Sequence, residues 1–248
     1  MIVDSLVVAG PNLFVPESIG IDALARSSAA RSIDALVVAP GRPSGYSLPP
    51  ANDELADAAR HAPGTIARLA RVDPWQGQDA VSEARRCLTE LGCVGLFLHP
   101  GEEAFPVRKA IAVAKVAEEL RLPVVIATGL FALSEPLQVS ELAAAVPSIP
   151  VVMTSGGQIN ISGLGMIDAW AALRRSANLH ILTNGEYRQD YLEQLAVDLD
   201  PHRLLFASFA PYYEQDFELL RVQSARMDDE ARALVLGDNA KRLFWPQW

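Results

Sequence analysis

Short apolar segments alternate with longer amphipathic ones along the whole chain. The segments at residues 35–39 and 123–127 are apolar at almost every position. Continuous apolar runs of this length are typical of strands that are covered on both faces, as in a parallel sheet. The pattern predicts eight strands, at residues 2–9, 33–39, 65–71, 94–99, 123–128, 150–154, 179–183 and 203–208.

The segments between these strands have apolar residues at three- and four-residue spacing, with charged residues on the opposite side, which predicts amphipathic helices. They lie at residues 19–31, 53–61, 79–91, 107–120, 135–146, 167–175, 189–197 and 214–225, and a last helix follows at about 228–244. Eight strand–helix pairs in one series predict an α/β fold of the (β/α)8 TIM barrel type. A doubly wound open sheet is the alternative, but it usually stops at about five to seven strands. No linker composition marks a boundary, so residues 1–248 are predicted to form one domain.

The charge and composition exclude several classes of partner. Thirty acidic residues against twenty-one basic ones give a net charge of −9, which repels phosphate backbones and anionic lipids, so we expect neither nucleic acid nor a membrane surface as partner. No apolar run reaches the length of a membrane helix, and no signal peptide is evident. The two cysteines, Cys87 and Cys93, do not make a disulfide framework. They predict buried apolar filler in a reduced, cytoplasmic protein.

Several segments carry a family resemblance when they are taken in order. They are the strand Ile2-Val3-Asp4, the run 95–100 ending in His99-Pro100, the run 122–129 ending in Thr128-Gly129, the run 150–157 ending in Gly156-Gly157, the run 203–211 and the closing segment 227–244. Together they resemble the amidohydrolase superfamily in its amidohydrolase-related (amidohydrolase 2) branch of decarboxylases and lactonases. The resemblance covers nearly the whole chain and implies a TIM barrel that acts as a metal-dependent hydrolase or decarboxylase.

The metal-ligand positions that this resemblance implies hold unsuitable residues. Two histidines of the family's first strand fall on Leu6 and Val8, and the ligand after the fifth strand falls on Ala127. The histidine before the Gly-Gly pair falls on Ser155, and the aspartate after the eighth strand falls on Phe209. Alkyl and phenyl groups have no lone pair for a cation, and a neutral hydroxyl is a poor ligand. We therefore expect no metal and no other cofactor. We also expect Leu6 and Val8 to fill the barrel interior on the same side as Asp4.

Several polar residues near the predicted strand ends remain candidates for chemistry. His99 ends the fourth strand, where barrels place catalytic groups, and Glu186 is its only proposed partner for acid–base catalysis without metal. Other polar residues predicted to line a ligand pocket are Asp4, Thr128, Ser155, Asn184 and Ser208, with Thr154 beside them. Each also has a purely structural interpretation, as a local hydrogen-bonding or capping group.

Two hypotheses about function stay open at this point, and the sequence leaves undecided whether the chain is an enzyme. The first is a pseudoenzyme: an amidohydrolase-like barrel without its metal site, which binds a small organic molecule or a partner subunit. That partner would be a second copy of the chain or an active paralogue. The alternative is a metal-independent or divergent hydrolase or decarboxylase acting on a small organic acid. Aromatic residues after the eighth strand, among them Phe209, Tyr212 and Phe217, either anchor such a partner or pack on the barrel.

Overall fold

The structure, a computed structural model, describes residues 1–13, 19–45, 47–60, 64–157 and 164–245. Eight strands form one sheet in which every pair is parallel and the spatial order follows the chain. They are β1 Val3–Ala9, β2 Ala35–Pro40, β3 Ile66–Arg71, β4 Gly95–Leu98, β5 Val124–Ile126, β6 Val151–Met153, β7 Leu179–Leu182 and β8 Leu204–Leu205. Each observed strand overlaps one of the eight predicted from the apolar runs.

Backbone hydrogen bonds between the first and last strands close this sheet into a barrel. Ser5 donates to the carbonyl of Phe206 at 2.9 Å, and Phe209 donates to the carbonyl of Leu6 at 2.8 Å. Further along, Val8 donates to the carbonyl of Ala210 at 2.8 Å. The prediction of a (β/α)8 TIM barrel in one domain is therefore confirmed.

The helices surround the barrel and follow the predicted order. They are α1 Ile21–Ala29, α2 Pro49–Ala59, α3 Gln78–Thr89, α4 Ile111–Glu119, α5 Pro136–Ala145, α6 Leu164–Arg175, α7 Gln189–Gln194, α8 Gln215–Ser224, α9 Asp229–Ala233 and α10 Asn239–Phe244. Helix α2 begins four residues before its predicted start, because the two prolines at its N-terminus suit the first helical turn, where no N–H partner is needed. A wider turn at Leu234–Asp238 joins α9 to α10, so the predicted last helix is present. His61, predicted at the end of α2, lies outside the described residues.

Two apolar cores hold the barrel together. The inner one fills the barrel axis and includes Leu6, Val8, Phe97 and Phe209. The outer one lies between strands and helices and includes Val7. Alternation along a strand assigns neighbouring residues to opposite cores, as for Leu6, Val7 and Val8. In the part of the chain that the structure describes, no helix has both the length and the apolar character needed to cross a membrane.

The first strand departs from simple alternation at one point. The register of β1 against β2 shifts between Asp4 and Val7, which is the effect of a β-bulge. The Asp4 carboxylate consequently faces outward, where it accepts a hydrogen bond from Gln215 of α8, while Leu6 faces inward. The expectation that Asp4 points into the barrel on the same side as Leu6 is therefore corrected, because alternation does not continue through a bulge.

Candidate functional site

Four of the five positions assigned to metal ligands by the family resemblance, all except Ser155, form a buried apolar surface at the C-terminal end of the barrel. Leu6, Val8 and Phe209 belong to the inner core, and Ala127 is 1% exposed. The Phe209 ring packs edge-on against Phe97, with ring centroids 5.9 Å apart. None of these side chains has a donor atom, so they do not fit a divalent metal ion. Within the described residues, no group of three histidine, cysteine, aspartate or glutamate side chains is arranged to hold a metal.

Two of the five positions assigned to metal ligands have an unusual backbone conformation. Ser155 and Phe209 have φ angles of 57° and 59°, in the left-handed region that non-glycine residues adopt only at some energetic cost. Both follow the C-terminal ends of barrel strands. Strained residues held by a rigid scaffold are concentrated at binding and catalytic sites. The backbone conformation at these two positions is therefore of the kind found at functional sites, although neither side chain is a good metal ligand.

A group of ionisable side chains lies beside this apolar surface, at the ends of β3, β4 and β8. We call it the mouth cluster; it consists of Arg71, His99, Glu102, Glu103 and Tyr212. Arg71 is fully buried, and its Nη2 atom donates to Glu102 Oε2 and, at 2.7 Å, to Glu103 Oε1. Tyr212 donates its phenolic proton to Glu102 Oε1. The charges of the cluster are thus paired with one another at the face where TIM barrels carry out catalysis.

Local structure explains how the cluster is positioned. Alternation along β3 places Arg71 on the same inward side as Leu69. After β4 the chain turns back on itself, and the N–H groups of Glu102 and Glu103 both donate to the carbonyl of His99, at 3.0 and 3.1 Å. This turn brings both carboxylates to the guanidinium of Arg71.

His99 is held as a neutral hydrogen-bond donor. Its Nδ1 atom accepts a hydrogen bond of 3.1 Å from the backbone N–H of Glu102, so the ring proton resides on Nε2. Burial lowers the pKa of His99 to about 4. Its side chain is 12% exposed and stacks against Phe209, with ring centroids 6.3 Å apart. At neutral pH, His99 can therefore donate one hydrogen bond from Nε2, but it does not act as a base through Nδ1.

The two glutamates of the mouth cluster differ in acidity. Burial raises the pKa of Glu103 to about 7, against the opposing effect of Arg71 and of Arg42 on the loop after β2. Burial would also raise the pKa of Glu102, but the positive charge of Arg71 and the hydrogen bonds from Tyr212 and Arg71 oppose it, and that pKa is lowered. Among the described residues, Glu103 Oε2 has no hydrogen-bond partner. Glu103 is therefore the carboxyl group able to carry a proton near neutral pH.

Four of the predicted polar residues form a second group at the ends of β5, β6 and β7. The N–H of Thr128 donates to Thr154 Oγ1 at 3.1 Å, and Ser155 Oγ lies 3.4 Å from the same oxygen. Ser155 and Asn184 exchange two hydrogen bonds, of 3.2 and 3.3 Å. All four residues are buried. The structure thus brings them together, and their role in ligand binding stays a prediction.

Asp4 and Ser208, also predicted to line the pocket, lie in a different place. Asp4 accepts hydrogen bonds from the backbone N–H and hydroxyl of Ser208, at 2.8 and 2.5 Å, and from Gln215 at 3.0 Å. Gln215 also contacts Ser28 of α1 at 2.9 Å. This network lies between the barrel and its outer helices and connects β1, β8, α1 and α8.

The position of Asp4 predicts a pH-dependent stability. Burial raises the pKa of Asp4 to about 6, from an ordinary value of 3.8. Between these two values the folded protein retains a proton that the unfolded chain has released, so the free energy of unfolding falls as pH rises. Asp4→Asn removes this loss. From pH 4 to pH 7 the variant should gain about 2 kcal/mol relative to the wild type in urea unfolding. The exposed Asp57→Asn variant is the control and should follow the wild-type curve; a parallel curve for Asp4→Asn would contradict the assignment.

Glu186, the predicted partner of His99, is a buried residue that follows β7. Its carboxylate accepts a hydrogen bond of 2.8 Å from the N–H of Arg188. It also lies so close to Gly156 that a Cβ atom there would be 2.4 Å from Glu186 Oε2. His99 has Glu102 as its carboxylate neighbour instead, with Nε2 3.7 Å from Glu102 Oε1. The pairing of His99 with Glu186 in acid–base catalysis stays a prediction.

The sequence analysis missed Arg71, Glu102 and Glu103 as site residues. The sequence did contain a signal for Arg71. Ala67 and Leu69 precede it at two-residue spacing, so Arg71 is a charged residue on the inward-facing side of an apolar strand. The two glutamates follow His99 by only three and four residues.

The aromatic residues after β8 were expected either to anchor a partner or to pack on the barrel. Phe209 and Tyr212 pack on the barrel, and their stacked rings are 4.6 Å apart.

A separate cleft of about 370 Å³ lies between α2 and α3 and borders the end of β3. Its lining includes Leu48, Val72, Asp73, Asp79 and Glu83. Three carboxylates in one cleft repel an anion. The mouth cluster differs from this cleft because guanidinium groups, those of Arg71 and Arg42, lie beside its two carboxylates.

Comparison with known proteins gives the family. A family model described as Amidohydrolase matches residues 31–245, and none of the curated proteins matches. Among solved structures, 2,6-dihydroxybenzoate decarboxylase from Rhizobium is 17% identical over 99% of both chains, with a TM-score of 0.75. The 5-carboxyvanillate decarboxylase from Sphingomonas paucimobilis is 15% identical over 96% of this chain and 98% of its own, with a TM-score of 0.73. A probable 2-pyrone-4,6-dicarboxylic acid hydrolase from Acinetobacter baumannii is 14% identical over 98% of both chains, with a TM-score of 0.78.

At these identities the solved structures establish the fold alone, whereas the family model matches the sequence itself over most of its length. The match includes four of the strand ends at which the sequence resembles the family, as well as the closing helices. The chain therefore belongs to the amidohydrolase family.

Proposed function

We propose that this protein is a divergent decarboxylase that acts on a small organic acid without the metal ligands of its family. The observation that carries the proposal is the mouth cluster: Arg71, Glu102 and Glu103 are buried together at the catalytic face of the barrel. Hydrolysis of a small organic acid is the second reaction class that the same groups support.

The energetics of the cluster argue against a barrel retained only for its shape. Moving a charged group out of water costs several kcal/mol per ion, and replacing a buried ion pair by apolar residues is often neutral or stabilising. Perturbed carboxyl groups in such a position are typical of active sites. The comparisons likewise give the pseudoenzyme hypothesis no support, since the named proteins of similar fold are decarboxylases and a probable hydrolase.

The roles of the residues follow from their protonation states. His99 donates a hydrogen bond from Nε2 to a carboxylate or carbonyl oxygen of the substrate. As the substrate loses CO2, the carbon that held the carboxylate needs a proton, and we assign its donation to the Glu103 carboxyl group. Arg71 holds Glu103 in place and stabilises the glutamate anion that remains.

The size and charge of the substrate follow from the same surroundings. Arg42 and Arg71 place positive charge beside the mouth, which attracts an anion. The side chains of Val8, Ala127 and Phe209, which are 2%, 1% and 5% exposed, suit contact with a small hydrophobic body of a few carbon atoms or one ring. A small aromatic or unsaturated carboxylic acid meets both requirements.

Turnover measurements on the purified protein test this proposal. A panel of small aromatic and unsaturated carboxylic acids is assayed for CO2 release, and the corresponding lactones and esters for hydrolysis, with and without a chelator. We expect CO2 release from at least one acid, unchanged by the chelator. We expect His99→Phe to raise KM about 10- to 100-fold, because it removes one hydrogen bond to a charged group.

His202 offers a matched control, since it is an exposed histidine that pairs with Asp200 away from the mouth. His202→Gln should keep the wild-type KM and kcat. A protein that neither turns over nor binds any member of the panel contradicts the proposal and favours the pseudoenzyme hypothesis. A rate abolished by the chelator and restored by one divalent ion contradicts the metal-independent part.

Self-association, an active paralogue as partner and a cytoplasmic location stay predictions. So does ligand binding by the group of Thr128, Ser155 and Asn184, whose hydroxyl and amide groups lie at the same end of the barrel.

A further inference from the structure

The two cysteines of the chain lie side by side, at the opposite end of the barrel from the mouth cluster. Cys87 is in the last turns of α3, and Cys93 begins the segment that enters β4. The backbone N–H of Cys93 donates to the carbonyl of Cys87 at 3.1 Å, which brings the two residues together. Both thiols are free. The backbone bond keeps the two Cα atoms within the range that a disulfide needs.

The turn between the cysteines is suited to holding this pair. Gly92 has a φ of 67°, a left-handed conformation that other residues adopt only with strain. Arg68 of β3 reaches the same turn and donates to the carbonyl of Leu91 at 2.8 Å. A Cβ atom on Gly92 would lie 2.9 Å from the Arg68 guanidinium. Glu90 and Gly92 of this turn are exposed, whereas Cys87 and Cys93 are 0% and 5% exposed.

The surroundings assign different roles to the two thiols. The neighbouring thiol of Cys87 lowers the pKa of Cys93, and the positive charge of Arg68 adds to this effect against the opposing effect of burial. The proximity of Cys93 and burial raise the pKa of Cys87, whose one thiol proton is donated to Glu83 Oε1 at 3.2 Å. Cys93 is therefore the better nucleophile, because the thiolate is the reactive form.

We infer that Cys87 and Cys93 form a reversible intramolecular disulfide when the protein meets a peroxide. The Cys93 thiolate attacks one oxygen of hydrogen peroxide, the O–O bond breaks, hydroxide leaves, and a sulfenic acid forms. The sulfur of Cys87 then attacks the sulfenic sulfur, the S–S bond forms, and the S–O bond breaks. The leaving hydroxide and the proton of Cys87 combine as water. In total two thiols lose two electrons and two protons, and one peroxide molecule is reduced to two water molecules.

The hydrogen-bond acceptor of Cys87 supports the second step. Glu83 Oε1 also accepts hydrogen bonds of 2.9 Å from Asn52 and from Arg86. These donors hold the carboxylate at the Cys87 thiol, where it can receive the thiol proton as the new bond forms. Apolar filler would need no such acceptor, so the arrangement is more specific than packing requires.

The experiment treats the folded full-length protein with hydrogen peroxide and follows it by intact-mass measurement and by thiol titration. We expect both thiols to disappear together, with a mass lower by about 2 Da than that of the reduced chain. Dithiothreitol should restore both. Peptide mapping should place the new bond between Cys87 and Cys93 of the same chain.

Two single variants test the order of the steps. In Cys87→Ser, Cys93 should accumulate as a sulfenic acid that dimedone traps, since no second thiol is present to react with it. In Cys93→Ser, Cys87 should react at least about tenfold more slowly, because its thiolate is disfavoured. Equal rates for the two variants would overturn the assignment of the nucleophile.

The wild-type protein alone decides the main point, whether or not the variants fold. Addition of one or more oxygen atoms without the lighter species would overturn the inference. So would a disulfide between two chains, or a reaction that occurs only after unfolding in guanidinium. None of these outcomes depends on the activity at the mouth cluster.

Discussion

Replacing Arg71 by methionine is expected to lower the free energy of unfolding by about 3–5 kcal/mol. Methionine fills a similar volume, so the loss of packing is small. The variant removes the guanidinium that pairs with Glu102 and Glu103, while both carboxyl groups stay buried. Uncompensated buried charge is among the largest sources of destabilisation in proteins. Urea unfolding at neutral pH measures the change.

The cause of this loss can be separated from a loss of packing. In the triple variant Arg71→Met, Glu102→Gln, Glu103→Gln, the buried carboxylates are gone, so most of the lost stability should return. Arg85→Met is the surface control: Arg85 pairs with Glu119, but both side chains are about half exposed, and the change should stay within about 1 kcal/mol. A triple variant as unstable as Arg71→Met would show that the cluster is not held by charge pairing.

The apolar pattern of this chain was sufficient to predict the barrel, because each parallel strand is buried on both faces. The run at 123–127, for example, contains β5, and all three residues of that strand are buried. Such runs need no knowledge of what they pack against. The bulge in β1 was not predictable in the same way, since its shifted register depends on the pairing with β2 and β8. That shift decides that Asp4 faces α8 and not the barrel axis.

The candidate site was predicted only in part, for a related reason. His99 could be placed by its position at a strand end and by the family resemblance. Arg71 and its partners Glu102 and Glu103 are separated by 31 and 32 residues, and a charged residue at the edge of a strand is by itself unremarkable in sequence. Their pairing arises when β3 and β4 become neighbours in the sheet. The acid–base role of Glu186 was inferred from composition at the strand ends, which cannot reveal which groups meet.

Glu103→Gln is expected to reduce kcat for the acid identified in the panel by about 100-fold or more, since general acid catalysis contributes about 10²- to 10⁴-fold. Glutamine has the same shape as glutamate, so the variant side chain still contacts Arg71, although more weakly. The pH dependence gives the sharper result. Because Glu103 must be protonated to donate, wild-type kcat/KM should be constant at low pH and fall about tenfold per pH unit above about pH 7. This fall follows from the pKa of about 7 that burial gives Glu103.

The matched control is Glu186→Gln, which changes another buried glutamate after a strand end of the same barrel. It should retain the wild-type pH profile, whereas Glu103→Gln should lose the descending limb and keep only a low, pH-independent rate. The opposite result, with the limb lost in Glu186→Gln and kept in Glu103→Gln, would return the acid–base role to the residue that the sequence pattern favoured. A limb retained in both variants would place the titrating group elsewhere than at Glu103 or Glu186.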